Sequence, residues 1–456
     1  MAILEAGKIS SKQAAGLMVN TGKEAAVMSL RRRRFLTVMF LIFVLLLSGC
    51  WSRREIDDLA IVTGIALDLG PDNKVHMTIQ LVKPEVLAKR AQGGGGGGNA
   101  DKAYWLLESH GLTFVDAVRK FNTLSPRQLF LAHNVIIIFG EDLARRGIAS
   151  TLDRISRTKN LRRTIWVMVA KGKAREVLEA ELEPEYLSAV AIGHMIEGRE
   201  VYSQSYGIDL KDFLRVLTGS SPNPVASRIE LRKEFTNREF WEVDEDGQGE
   251  AGQGEEDAKE HINKEARTQG REQAKKSVVL TGAAVFKKDK LMGWFDPTET
   301  RGLLWIQGKM RRGIIIINGP EGEKMAFESI RSKSEVVPKI HQGKLIMRVK
   351  IDEENDFAED MGFVPLTPEN IPGIEKKIAA AIQKDIEAAL RKGQKEYKSD
   401  IFGFGAAVHR KYPQQWKAIK GRWEELFPQL EVQVEVKSKI RRRGMSTEPP
   451  KPGGKE

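Results

Sequence analysis

Apolar residues are spaced in different ways along this chain, and each spacing predicts a different element. From Leu59 to Asp68, LAIVTGIALD, apolar and β-branched residues run almost unbroken, the mark of a strand. Val75 to Leu81 alternates instead, with Val75, Met77, Ile79 and Leu81 on one face and His76, Thr78 and Gln80 on the other. That period of two predicts a half-buried strand, and the Gly70-Pro71-Asp72-Asn73 turn joins the pair as a hairpin. Much later, Ile374, Ile378, Ile382, Ile386 and Leu390 recur every four residues among lysines and acids. This spacing predicts a helix over 374–397 with one buried face.

One apolar run has no period. Phe35 to Leu47 is thirteen mostly apolar residues behind four arginines, Arg31 to Arg34, and ahead of Ser48, Gly49 and Cys50. A basic segment, a short apolar segment and small residues at a cleavage point describe a secretory signal peptide. The run is short for a spanning helix, which needs ~20 residues. Leu47-Ser48-Gly49-Cys50 resembles the lipobox of bacterial lipoproteins, in which small side chains fit a peptidase slot and the thiol receives a diacylglyceryl group. Cys50 is therefore the expected lipidation site. An uncleaved membrane helix, with Cys50 as a small buried hydrophobe, is the competing reading. Met28 is read as the true start, and residues 1–49 are set aside as signal peptide.

Between the hairpin and the long helix the chain changes character once. Strands are expected at 104–108, 135–139 and 164–170, with helices at 113–121, at 141–157 in two pieces broken near Gly147, and at 174–181, 186–200 and 210–217. Residues 225–235 read as extended. This alternation predicts a mixed α/β N-terminal domain over 50–205 and a connection over 206–243. Asp244 to Glu260 carries eight acidic residues, one lysine and four glycines. It opens a segment, 244–272, expected to be a disordered linker, and the six consecutive glycines within 92–99 read as a second flexible loop. Beyond it, strands at 277–286, 290–295, 313–318, 325–337, 344–352 and 430–436, and helices at 298–306, 374–397 and 412–427, predict a C-terminal domain over 273–440. The fold class expected is α+β, with a C-terminal antiparallel sheet packed by the long helix and a loose tail over 441–456.

Composition narrows the function. The single cysteine excludes a disulfide framework and a Cys-based zinc site. The formal charge of +11 gathers before the apolar run and in 437–443, without aromatic interleaving, so nucleic-acid binding is not expected and a basic face near anionic lipid is. The seven histidines form no H-E-x-x-H pair, and no serine sits in a G-x-S-x-G elbow. His133-Asn134 reads as a strand-entry pair, and Trp416 and Trp423 as core. Gly247 to Gly252 spells G-x-G-x-x-G, but it follows no strand and its acids would repel phosphate. No enzyme, cofactor or metal is expected.

Three blocks carry a family resemblance: LSGCWSRREIDDLAIVTGIALD (47–68), GAAVFKKDKLMGWFDPTETRGLLWIQGK (282–309) and SDIFGFGAAVHRKYPQQWKAIKGRWEELFPQLEVQVEVK (399–437). Together they resemble the Ger(x)C family, the C-subunit lipoproteins of spore germinant receptors. The hexaglycine loop and the acidic stretch depart from the family pattern as loop expansions. The resemblance implies a non-catalytic, lipid-anchored subunit on the outer face of the spore inner membrane, acting with A and B subunits in nutrient-triggered germination. It carries over one site residue, Cys50. A transporter's substrate-binding lipoprotein is the alternative, and it would require two repeated βα lobes.

Overall fold

The computed structural model describes residues 32–40, 58–91, 102–158, 160–219, 221–233, 276–320, 322–360 and 366–442. Met28, Cys50, the hexaglycine run, 244–272 and the tail beyond 442 lie outside the described residues. Residues 32–40 are helical, and contacts group Ala60 onward as one unit.

The strands are β1 (Leu59–Leu69), β2 (Val75–Val82), β3 (Tyr104–Gly111), β4 (Gln128–Phe130), β5 (Ile136–Gly140), β6 (Trp166–Ala170), β7 (Val225–Lys233), β8 (Lys276–Lys287), β9 (Lys290–Phe295), β10 (Ile314–Asn318), β11 (Lys324–His341), β12 (Lys344–Asp360) and β13 (Glu431–Arg442). The helices are α1 (Pro84–Ala91), α2 (Phe114–Leu124), α3 (Glu141–Arg146), α4 (Ala149–Ser156), α5 (Ala174–Glu179), α6 (Ser188–Glu197), α7 (Leu210–Leu217), α8 (Pro297–Ile306), α9 (Ile371–Leu390), α10 (Phe404–Lys411), α11 (Pro413–Ile419) and α12 (Trp423–Leu426). The α+β class expected from the sequence holds.

Among the described residues, β1 to β9 build one nine-stranded sheet in the order β3-β2-β1-β5-β6-β7-β8-β9, with β4 paired to β1. Its centre, β1-β5-β6-β7, is parallel, and antiparallel hairpins flank it on both sides. Helices cover both faces, as parallel strands require. On β5, Ile137 and Phe139 join one core and Ile136 and Ile138 the other. This overturns the half-buried reading of β2. Thr78 and Gln80 are buried with their apolar neighbours, because α6 closes the second face. Thr113 caps α2 as expected, its side chain accepting from Asp116 N. Gly147, at φ 121°, ends α3 in a conformation that glycine adopts freely.

The sheet crosses the expected domain boundary at 273. β8 pairs with β7, so strands assigned to the connection and to the C-terminal domain belong to the N-terminal sheet. The second sheet is β10-β11-β12-β13. Its first three strands are antiparallel as expected, but β13 lies parallel to β12. The connection between those two strands carries α9 to α12, and a long helical crossover returns a strand in the same direction.

The isoleucine ladder of α9 is buried along its length, from Ile374 at 1% exposure to Ile378, Ile382 and Ile386 at 0%. The helix ends at Leu390, not Tyr397, and widens into a π-helical turn, Arg391–Glu396. Gly302 of α8 sits where an added Cβ would lie 2.1 Å from the Asp385 carbonyl, so the two helices meet backbone to backbone. The single helix expected at 412–427 is instead α11 and α12 joined by a 3-10 turn, Lys420–Arg422, with α10 preceding them.

Replacing a fully buried Ile with Ala costs ~2–5 kcal/mol through lost transfer energy and the cavity left behind. Ile382→Ala is expected to lower the unfolding midpoint strongly in thermal denaturation. Lys384→Ala, on the exposed side, should leave it near wild type. Equal midpoints would mean that the ladder does not contribute to the core.

Candidate functional site

The residues singled out from the sequence do not converge on one centre. His133 is exposed, 5.4 Å ring to ring from Phe130, whereas Asn134 is buried, and neither its Oδ1 nor its Nδ2 makes a hydrogen bond. Trp416 and Trp423 are buried edge to face, 5.2 Å apart, with Phe427 beside Trp423 at 6.3 Å, which makes them core. Lys437, Lys439 and Arg441 line the exposed row of β13. Among the described residues, no group of three or more His, Cys, Asp and Glu side chains is placed to hold a metal ion. No helix among them is long and apolar enough to cross a membrane.

What the fold does assemble is a set of buried polar anchors. Asp68, at the end of β1, accepts the amides of Ala174 and Arg175 at 2.9 Å and so caps the first turn of α5. Burial pushes its carboxyl above the usual range, and those two amides pull it back. Gln80 donates to Ser188 Oγ at 2.8 Å and accepts from Thr63 Oγ and Ala189 N at 3.1 Å, tying β2 to the start of α6. Asp400 accepts from Gly403, Phe404 and Gly405 amides, from Ser221 Oγ at 2.8 Å and from Trp423 Nε1 at 3.1 Å. One carboxylate thus opens α10 and joins it to the segment before β7 and to α12.

Glu353 is different. It is 2% exposed on the inner row of β12, opposite Ser332 on β11 and Ser438 on β13. Neither carboxylate oxygen has a hydrogen-bond partner that meets ordinary geometry. Burial pushes its carboxyl up to about 8, with the Ser329 and Ser332 hydroxyls opposing. At neutral pH it therefore holds its proton. Asp385, between α8 and α9, is also pushed up by burial, but Arg301 sits 2.6 Å away and opposes the shift. None of these anchors stood out in the sequence. The one local sign was an acid closing an apolar strand, at Asp68, or standing three residues before a glycine at a helix start, at Asp400.

Cavities open on the N-terminal sheet. One of about 280 Å3 lies at a shared end of β1, β2 and β3, lined by Ala60, Leu81, Val82, Trp105 and Pro126 among others. A second, of about 260 Å3, lies between Tyr104 and the 180–188 segment. An ion pair and a cation over a ring line it, with Lys102 2.9 Å from Glu181 and Arg90 over the Tyr186 ring at 4.9 Å.

Comparison with known proteins matches both halves of the chain. A family profile described as spore germination protein N-terminal domain covers residues 52–231, and one described as spore germination B3/GerAC like, C-terminal, covers 281–444. Spore germination protein KC of Bacillus subtilis (strain 168) is 27% identical over 425 residues, 92% of this chain and 98% of that protein. Spore germination protein B3 of the same organism is 23% identical over 412 residues, 89% and 96% of the two chains. The crystal structure of the GerBC protein is 20% identical, covering 83% of this chain and 96% of its own, at a TM-score of 0.47.

The buried proton on Glu353 makes stability depend on pH with a defined sign. An acid whose folded pKa lies above its unfolded value binds more protons folded, so stability falls as pH rises between the two values. Its contribution is complete below the ordinary 4.5, declines toward 8 and flattens above that. Glu353→Gln keeps the neutral shape and removes the slope. The midpoint of the variant relative to wild type is expected to rise between pH 5 and pH 8.5. An unchanged difference across that range would show that the carboxyl is not held protonated.

Proposed function

Since the chain belongs to the Ger(x)C family of spore germination proteins, we propose that it is the lipid-anchored, non-catalytic subunit of a spore nutrient germinant receptor. Cleavage follows Gly49, and the Cys50 thiol carries a diacylglyceryl thioether. The folded body then stands on the outer face of the spore inner membrane. There it works with an A subunit, which carries a soluble domain, and a multi-spanning B subunit. The observation that carries this reading is one of position: the family match begins at residue 52, with only Trp51 between it and Leu47-Ser48-Gly49-Cys50.

Anchor energetics agree with it. One acyl chain holds a protein only marginally, each buried CH2 contributing ~0.8 kcal/mol, whereas two chains hold it firmly. A transporter's binding lipoprotein would bring its ligand between two repeated lobes. Here both sheets contribute to one core, which favours the receptor reading.

Cys50→Ala is expected to leave the protein unprocessed or to release it from membranes, read by fractionation and by the mass of the N-terminal fragment. A Cys50→Ala protein that matures and stays membrane-bound like wild type would overturn the anchor. Deleting the gene should abolish or slow germination with at least one single nutrient. Spores that respond normally to every nutrient tested would sink the receptor reading.

A further inference from the structure

The apolar cavity at the end of β1, β2 and β3 has an address. Ala60 lines it and stands ten residues after Cys50. Ten residues reach at most ~34 Å when fully extended. A body of about 400 residues has a radius of gyration of ~21 Å and is therefore roughly 55 Å across. An anchor at Cys50 cannot reach the far side of such a body. Ala60 lies near the start of β1, so the end of β1, β2 and β3 that opens this cavity is the part of the described fold closest to Cys50 along the chain.

The chemistry there suits a lipid surface. Trp105, on β3 opposite Leu81, is 46% exposed and stands at the cavity wall, and Leu124, just before the lining residues Ser125 and Pro126, is 48% exposed. Two cations, Lys83 and Arg127, stand on the rim with one acid, Glu85. An indole and an exposed leucine beside long basic side chains match the boundary of a bilayer, where rings sit at headgroup level and cations meet lipid phosphate.

We infer that this cavity end is the membrane-facing surface of the folded body, with Trp105 and Leu124 entering the headgroup layer and Lys83 and Arg127 meeting anionic lipid phosphate. The inference rests on the lipid anchor at Cys50 and adds an orientation to it. Tether and surface would then act together, the acyl chains giving residence and the cavity rim fixing which way the body faces.

The test uses the intact lipidated protein in phosphatidylcholine/phosphatidylglycerol vesicles. The thioether blocks Cys50, so a single engineered thiol takes a bimane label, either Glu85→Cys beside the cavity or the exposed Leu112→Cys, just past the opposite end of β3. Headgroup spin-labelled lipid is expected to quench the Glu85→Cys label several-fold more than the Leu112→Cys label. Leaving out phosphatidylglycerol, or adding Trp105→Ala with Arg127→Glu, should cut that quenching at least twofold while the protein stays bound. Equal quenching at the two positions in a lipidated protein would overturn the orientation alone and leave the anchor standing. Finding Cys50 free, by mass or by its own labelling, would overturn the anchor and the orientation together.

Discussion

The β8–β9 hairpin has to satisfy two halves of the protein at once, and the rest of the structure depends on that. β8 closes the nine-stranded sheet by pairing with β7, while Phe286 and Phe295 at its inner side are fully buried in the core that runs on into the C-terminal half. The segment after the π-helical turn clasps the same hairpin. Tyr397 Oη accepts from Trp294 N and donates to Trp294 O, both at 3.0 Å, and Ser399 Oγ donates to Phe286 O at 2.6 Å. Asn223 N donates to Asp400 O at 2.7 Å, so the approach to β7 is held by the same few residues. The π-helical turn makes this possible. Gly393 lets the Phe402 ring approach to 2.9 Å of where a Cβ would stand, and Gln394 donates to Phe427 O and Leu430 O at 2.8 Å. A regular α-helical continuation would have rotated those side chains to other faces.

Polar anchoring inside such a core is stable only when each group is satisfied. A hydrogen bond to a charged group is worth ~1.5–3 kcal/mol, and leaving its partner bare costs a comparable amount. Asp400 meets that condition with five donors drawn from three segments. Glu353 does not, and it stays buried by keeping its proton rather than by finding a cation. The contrast follows from position. Asp400 sits where helix-start amides are free, whereas Glu353 sits mid-strand, where the backbone donors are already used in the ladder.

Local chemistry was readable from the sequence, and distant pairing was not. The unbroken apolar run of β1, the Thr113 cap, the break at Gly147 and the α9 ladder all depend on residues within a few positions of one another. The β7–β8 pairing joins strands separated by residues 234–275, so an acidic interruption looked like a domain boundary. The direction of β13 is set by the crossover of α9 to α12, which alternation in the strand cannot report. Gln80 looked like a solvent-facing position because period two records only that a face differs, not what covers it. The proposed anchor shows the same limit from the other side, because the Cys50 reading rests on a contiguous pattern, whereas Asp400 and Glu353 draw their character from partners far along the chain.

One continuous core joins the two halves of the chain. Phe286, Phe295, Trp305, Phe402 and Phe404 belong to a single buried cluster that joins the region matched by the N-terminal profile to the region matched by the C-terminal one. All five lie in the region of the C-terminal profile, and the same cluster continues into Ile65, Leu67 and Phe139 in the region of the N-terminal one. The two matched regions therefore share their apolar burial, and neither keeps its core intact without the other.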